Sequence, residues 1–325
     1  MTSRDELFTT MTQQIIADLE KGELTWRQPW SSGHLVRLPL RKNDIPYSGI
    51  NTIMLWLQAT KKGYRSAYWM TYRQAQEMKA HVRKGEKSTT IVYFDTMLRE
   101  ETTPDGSESK KKIPFLKLYS VFNAEQIEGL PEAFYAPPAG DITNPEERID
   151  KIEAFFAGTQ AEIVTGVKAA YNPVLDCIQM PPFDCFEDAR SYYATLAHEL
   201  IHWTGHERRL QREFNLKSAN KEGYAKEELI AELGACFLAA DLGLEPVIHE
   251  EHAAYIQSWL AALKNDKRLI FHAAAQAQRA VSYLMNLQET KEERPVKQAS
   301  IFMPATPQAT PVPVSHRLPP KPPSP

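Results

Sequence analysis

The stretch "LPEAFYAPPAGDITNPEE", residues 130–147, places four prolines and a glycine within eighteen positions, and no helix or strand can run through it. A chain of 325 residues broken there is long enough for two cores rather than one. The sequence therefore divides into a domain at 1–130, a Pro-rich linker at 131–147, a second domain at 148–290 and a tail at 291–325. From Pro295 onward ten of 31 residues are proline, so the tail cannot bury enough surface to fold and is expected to be disordered. Charge changes along the chain in the same sense. Residues 1–125 carry 19 Lys+Arg against 14 Asp+Glu, a balance of +5, and residues 126–325 carry 19 against 27, a balance of −8. Such polarity predicts that the two halves meet different partners.

In the first half, Ser3 and Glu6 form a capping-box pattern before an apolar stripe of Leu7, Phe8, Met11, Ile15, Ile16 and Leu19, with Gly22 as the stop. This amphipathic opening is not a secretory signal, and no run of about 18 apolar residues follows, so the expected location is the cytoplasm, without membrane contact. The three cysteines match neither a metal-binding spacing nor a disulfide scaffold and read as free thiols. "YSGINTIMLWLQATKKGY" and "WMTYRQAQEMKAHV" read as two further helices, the latter with Thr71 near its start. "TTIVYF" and "PFLKLYSVFN" read as strands flanking "REETTPDGSESKKK", expected to be a mobile surface loop. The fold class predicted is α+β. In the second half, "PEERIDKIEAFFAG" reads as a helix, "AEIVTG" and "AAYNPVLDCIQMPP" as short extended pieces, and Phe186 to Leu287 as mainly helical.

Within that helical region, "AHELIHWTGH" carries His198, Glu199 and His202 as HExxH. Asp184 and Glu187 are candidate caps for its helix, and Gly205 is placed to end it. Four residues apart, the two imidazoles project from one face and can reach a single ion, while Glu199, about 100° further round, falls beside a water there. HExxH arises by chance in roughly one chain in fifty of this length and composition, so a third ligand must decide the matter. About 25 residues on, "YAKEELIAELGACFLAADLG" sets Glu227, Glu228 and Glu232 along a helix whose apolar face uses Leu229, Leu233, Cys236 and Phe237. Glutamates bordering a buried face need a cation or a donor. The arrangement resembles the gluzincins, whose second helix supplies a glutamate ligand and, one turn later, an acid that orients a ligand histidine. That resemblance implies Glu228 as third ligand and Glu232 as its supporting acid; the reverse assignment stays open. Two imidazoles and one carboxylate suit zinc, one ion per chain, with another divalent transition metal as the substitute. Glu199 would then serve as general base in peptide-bond hydrolysis, and "AAYNPVLDCIQMPP" could align an extended substrate by strand addition. His206, Tyr224, His249 and His252 are candidate oxyanion stabilisers.

The first domain has a different chemistry. Residues 37–93 hold 11 Lys+Arg against 3 Asp+Glu, interleaved with Tyr47, Trp56, Tyr64, Tyr68, Trp69, Tyr72 and Tyr93. Cations that follow phosphates and rings that stack on bases are what single-stranded nucleic acid requires. The candidate contacts are Arg41, Lys42, Lys61, Lys62, Arg73, Arg83, Lys84 and Lys87 for phosphates and the rings of Tyr47, Tyr68 and Trp69 for bases, with Asn51 among the DNA-binding candidates. Trp56, on the face of Ile53 and Leu57, reads as core.

The ordered motifs "WRQPW", "PYSGIN", "YWMTYRQAQ", "VRKGEKS" and "YSVFNAEQIEGL" resemble the amino-terminal domain of plasmid ArdC-type antirestriction proteins, a domain also found with TraC-type conjugative primases. "HELIHWTGH" and "EELIAELGACFL" resemble the zincin-like domain that follows it in that family, so the likeness covers roughly residues 4–290. It implies a single-stranded DNA-binding domain joined to a metallopeptidase-like domain, protecting incoming DNA from host restriction during conjugation. The implied partners are single-stranded DNA and an unidentified protein substrate, with host restriction components as candidates. The competing readings are a DNA-coating protein whose metal is only structural, and a conjugative primase fragment, for which no carboxylate cluster suited to magnesium stands out. Two departures from the family pattern that the resemblance implies are Ser48, at a position where many members of that family carry arginine, and the proline-rich tail.

Overall fold

The computed structural model describes residues 4–22, 24, 26, 37–102, 108–135, 145–212, 221–244 and 252–289. Ser3, the proline-rich tail and part of the linker lie outside them. Helix α1 spans Arg4–Glu20, and α2, Ile50–Lys62, is bounded by Gly49 and Gly63 at φ 59° and 69°, conformations that only glycine adopts without strain. There follow β1 (Trp69–Thr71), α3 (Tyr72–Glu77), β2 (His81–Val82), β3 (Thr89–Thr102), β4 (Glu108–Asn123) and β5 (Ile127–Glu128). The second half comprises α4 (Pro145–Thr159), β6 (Glu162–Thr165), β7 (Ala170–Asn172), β8 (Cys177–Met180), α5 (Ala189–Thr204), α6 (Lys221–Leu242), α7 (His252–Asn265) and α8 (Leu269–Glu289). This is the α+β, two-domain architecture that the sequence predicts.

Three local expectations change. The third helix is shorter than its pattern, because Trp69–Thr71 is drawn into an antiparallel ladder opposite Val121–Asn123. Thr71 then caps α3 by accepting from the Gln74 N–H, and the Gln74 side chain accepts from the Thr71 N–H in return. Of the polar stretch expected to be a mobile loop, the described residues 99–102 and 108–112 are instead paired backbone: the β3–β4 register continues from Thr89↔Val121 to Thr102↔Glu108, and 103–107 lie outside the described residues. Ladder hydrogen bonds join backbone groups and do not depend on apolar side chains. Finally, the cap of α5 is Asp188 rather than Asp184 or Glu187, its carboxylate accepting from the Ser191 N–H at 2.7 Å.

The small sheet of the second half runs β6-β8-β7, with β6 parallel and β7 antiparallel to the central β8. That order leaves β7 on the edge beside α5. Although the sequence break separates the halves, one core joins them. Phe8 of α1 meets Phe271 of α8 edge-on at 4.6 Å, and Trp56 of α2 lies 5.8 Å from Phe237 of α6. Polar ties reinforce the seam: the Thr12 hydroxyl donates to the Lys267 carbonyl at 2.7 Å, and the Gly49 N–H donates to the Gln278 side chain at 3.2 Å. Cys177 and Cys236 are buried, Cys185 is exposed, and all three are free, as read from their spacing.

Candidate metal centre

The centre is built where α5 and α6 cross. Gly234 on α6 permits the close approach, since a Cβ there would stand 2.9 Å from three side-chain carbons of fully buried Ile201 on α5. Six residues before Gly234 on the same helix, Glu228 faces the two histidines. His198 Nε2 and His202 Nε2 are 3.2 Å apart, Glu228 Oε2 is 3.4 Å from His198 Nε2, and Glu228 Oε1 is 3.7 Å from His202 Nε2. Ligands about 2.05 Å from a tetrahedral zinc lie about 3.3 Å from one another, and the donors here are spaced on that order, with a different Glu228 oxygen nearest each histidine. Among the described residues these are the three that converge, their ligand atoms all within 4.8 Å of one another. Glu232, one turn further along α6, is fully buried and stands outside that group.

Electrostatics match the geometry. Burial disfavours the charged imidazole of His198, but the hydrogen bond with Glu228 and the charges of Glu199, Glu228 and Glu232 outweigh it and hold its pKa up at about 9. Burial likewise disfavours the Glu228 carboxylate, yet His198, His202 and the Tyr224 hydroxyl bring its pKa down to about 2. A pocket that stabilises a proton on His198 this strongly is one that favours a cation.

Residues around the three donors fix their orientation. His202 Nδ1 lies 3.2 Å from Glu227 Oε1, and Arg212 grips the same carboxylate through Nη2 at 2.8 Å and Nε at 3.1 Å. Arg212 also donates to the Ile201 carbonyl at 2.6 Å and to the Thr204 hydroxyl at 2.8 Å, which anchors it to the end of α5. Burial opposes ionisation of Glu227, but His202 and Arg212 keep its pKa below the usual carboxylate value. Glu227 was not assigned a role from the sequence; the i, i+1 pair Glu227–Glu228 uses one glutamate on each side of His202. Glu232 acts at the other histidine, where its charge favours the imidazolium of His198.

Glu199 accepts a hydrogen bond at Oε2 from the backbone N–H of Tyr171 at 2.8 Å, so the edge strand β7 holds the candidate base. The strand is itself clamped. The Tyr171 hydroxyl donates to Asp176 at 2.9 Å, and Arg209, stacked 3.8 Å over the Trp203 ring, donates to both Asp176 and Tyr171. A cleft of about 400 Å³ opens at this end of β7, with Pro173, Leu175, His206 and Arg208 in its wall and Arg212 shared with the His202 network. Tyr224, half-exposed, meets the Tyr255 hydroxyl at 3.1 Å and lies close enough to lower the Glu228 pKa. Of the other candidate oxyanion groups, His206 is buried with Nδ1 3.8 Å from Asp176, and His249 lies outside the described residues.

The candidate nucleic-acid contacts separate into two sets. Lys62, Lys84, Lys87, Arg41, Arg73 and Arg83 are exposed, Arg73 with Glu77 at 3.2 Å and Arg83 with Glu86 at 2.9 Å. Lys42 pairs with Glu77 at 3.0 Å, and Lys61 with the buried Asp18 at 3.5 Å. Three of these expectations need correction, and Tyr68 stays half-buried. Tyr47 and Trp69 are buried with Leu55, Ile91 and Val121, and so cannot stack on bases. Asn51 is consumed by both backbone groups of Val92, at 2.8 and 2.9 Å, which pins α2 to β3. The Tyr68 hydroxyl donates to Asp44 at 2.6 Å and its ring packs edge-on against Phe134 at 4.8 Å. Trp56 is core, as its helical face predicts.

Comparison with known proteins agrees with this construction. A model of the zincin-like metallopeptidase domain matches residues 150–276, and one of the N-terminal domain of the anti-restriction factor ArdC matches residues 5–122. An uncharacterized protein of Sinorhizobium fredii, y4eC, is 35% identical over 302 residues, covering 91% of this chain and 96% of its own. DNA primase TraC of Escherichia coli is 34% identical over 313 residues, which is 90% of this chain but 28% of the primase. The crystal structure of the antirestriction ArdC protein from plasmid R388, metal-free, is 50% identical with a TM-score of 0.74 over 88% of this chain and 98% of that one. Its Mn(II)-bound form matches with a TM-score of 0.73 over 88% and 99%. With both domains matched in order and a relative covered almost end to end, the chain belongs to the ArdC-type antirestriction family: an ArdC amino-terminal domain followed by a zincin-like metallopeptidase domain.

Proposed function

We propose that this chain is an antirestriction protein of a conjugative plasmid or other mobile element, one that binds single-stranded DNA and carries a zinc-dependent, metalloprotease-type site. The observation that carries the proposal is the convergence of His198, His202 and Glu228 next to a Glu199 held by an edge strand. The R388 relative has been solved with Mn(II), which supports a divalent cation; two imidazoles and a carboxylate favour zinc in this role. Bound to these residues, zinc supplies a Lewis acid that acidifies water and polarises a peptide carbonyl. Glu199 takes the proton of the attacking water and returns it to the leaving amine, while its Oε2 stays oriented by the Tyr171 N–H. An extended substrate adds along β7, an edge strand of its sheet. Tyr224, half-exposed at 45%, is the candidate donor to the developing oxyanion. The candidate protein substrates are components of the host restriction machinery, met in the cytoplasm.

The test is Glu199→Gln. Wild type loaded with zinc is expected to cleave peptides from a quenched-fluorescence library, and the variant to retain zinc and fold but not cleave. Retained cleavage by the zinc-loaded variant would overturn the proposal. One observation favours the alternative of a structural metal: the donors come from both α5 and α6, so an ion there ties two core helices together. Under that reading Glu199→Gln protects transferred DNA as well as wild type does, whereas a proteolytic role requires protection to fail.

A further inference from the structure

We propose that one face of the β3–β4 ribbon is a base-stacking platform for an unpaired DNA strand, formed by Tyr93 and Tyr119 with Lys117 beside them; this rests on the reading that the chain binds single-stranded DNA. Register decides which side chains share that face. Ile91 lies opposite Tyr119, and Tyr93 opposite Lys117, while Thr89 lies opposite Val121. Directly opposed residues project to the same side, as do residues two apart along a strand, so all six belong to one face. At its inner end Ile91 and Val121 are buried with Tyr47, Leu55 and Trp69. Further out cover is lost, and Tyr93 and Tyr119 are 46% and 42% exposed. An uncovered sheet face ordinarily presents polar residues. Here it presents two aromatic rings and a lysine.

The geometry of the rings selects the ligand. Their centroids are 6.3 Å apart and their planes stand at 82°, so no single base can lie flat on both. That separation is nearly twice the ~3.4 Å rise of stacked bases along one strand. Two rings so placed take two bases only from a strand pulled out of its stack, which excludes a duplex and leaves unpaired nucleotides. Lys117, opposite Tyr93, is placed for the phosphate between them. Past the inner end Tyr64 packs edge-on against Trp69 at 5.9 Å, near the exposed Arg83 and its partner Glu86. The opposite face, with Phe94 53% and Leu118 41% exposed, serves as a control because no lysine stands opposite Phe94.

The experiment is fluorescence anisotropy of a labelled oligo(dT) titrated with the full-length protein at several salt concentrations. Tyr93→Ala and Tyr119→Ala are each expected to bind roughly five- to a hundred-fold more weakly with an unchanged salt slope, since rings carry no charge. Tyr→Phe at either position keeps the affinity. Lys117→Ala lowers the log–log salt slope by about 0.7, and Phe94→Ala binds as wild type does. Circular dichroism of each variant separates loss of the platform from loss of fold. Wild type that binds no oligo(dT) overturns the DNA-binding reading and the platform with it. Wild type that binds, with folded Tyr93→Ala and Tyr119→Ala binding equally well, overturns the platform alone.

Discussion

His202 and Glu227 are joined at 3.2 Å through the imidazole nitrogen that faces away from Glu228, and Arg212 closes on the Glu227 carboxylate from the other side. A carboxylate there fixes the tautomer that leaves Nε2 free as a ligand. Glu227→Ala is therefore expected to weaken zinc binding about 10–100-fold. Competition with a chromophoric chelator measures it; an unchanged affinity would show that His202 needs no such support.

Arg212→Met takes away the cation and leaves Glu227 with its buried charge facing only a histidine. Both partners are nearly fully buried, so the loss is expected to cost about 3–5 kcal/mol of stability. Chemical denaturation of the apoprotein gives the number directly.

Gly234→Ala tests the helix crossing. The added methyl would meet Ile201 at 2.9 Å, in a core with no room to yield, so overpacking of about 1–3 kcal/mol is expected. Because the same crossing sets the histidines of α5 against Glu228 of α6, zinc affinity should fall too. Ile201→Val in the same chain relieves the contact and is expected to recover part of both losses.

Asp176 links pH to stability. Arg209 first, then the Tyr171 hydroxyl, outweigh the effect of burial and hold its folded-state pKa below the ordinary carboxylate value. A depressed carboxylate contributes stability that is fully present above its unfolded pKa of about 3.9 and is lost as pH falls through the folded one. Asp176→Asn should thus lower the melting temperature at pH 7, with the gap to wild type closing as the pH falls below about 4. A gap that stayed constant with pH would mean the carboxylate charge is not what holds the edge strand.

The shared core makes a prediction about the two halves. Trp56, 3% exposed, packs on the fully buried Phe237 in the helix that carries Glu228, so Trp56→Ala is expected to cost about 3–5 kcal/mol. Calorimetry should show one transition displaced as a whole. Two transitions, with only the lower one moved, would mean the halves fold independently.

HExxH and the glutamate-bearing helix after it were legible because both rest on local spacing, which a helix converts directly into a shared face. Helical spacing could also pick out Trp56 as core. What spacing could not supply was the crossing of α5 and α6, and with it the choice among Glu227, Glu228 and Glu232, since three glutamates within six positions cover more than one side of a helix. The Tyr171–Glu199 hydrogen bond joins a backbone N–H to a side chain 28 residues away and leaves no compositional trace. Nucleic-acid contacts were misjudged where composition stood in for exposure: Tyr47 and Trp69 look the same in sequence as Tyr93, yet the sheet buries the first two and bares the third. The ribbon beyond Phe94 was read as a loop because its side chains are polar, although the ladder is made by backbone.

The central claim is a cation held by His198, His202 and Glu228. Elemental analysis after dialysis against metal-free buffer, on wild type and on His202→Ala, Glu228→Ala and Glu232→Ala, tests it most directly. The account predicts about one zinc per chain in wild type, loss in the first two variants, and retention at reduced affinity in the third. Folded wild type without bound metal, or a Glu228→Ala protein that keeps its zinc while Glu232→Ala loses it, would contradict it.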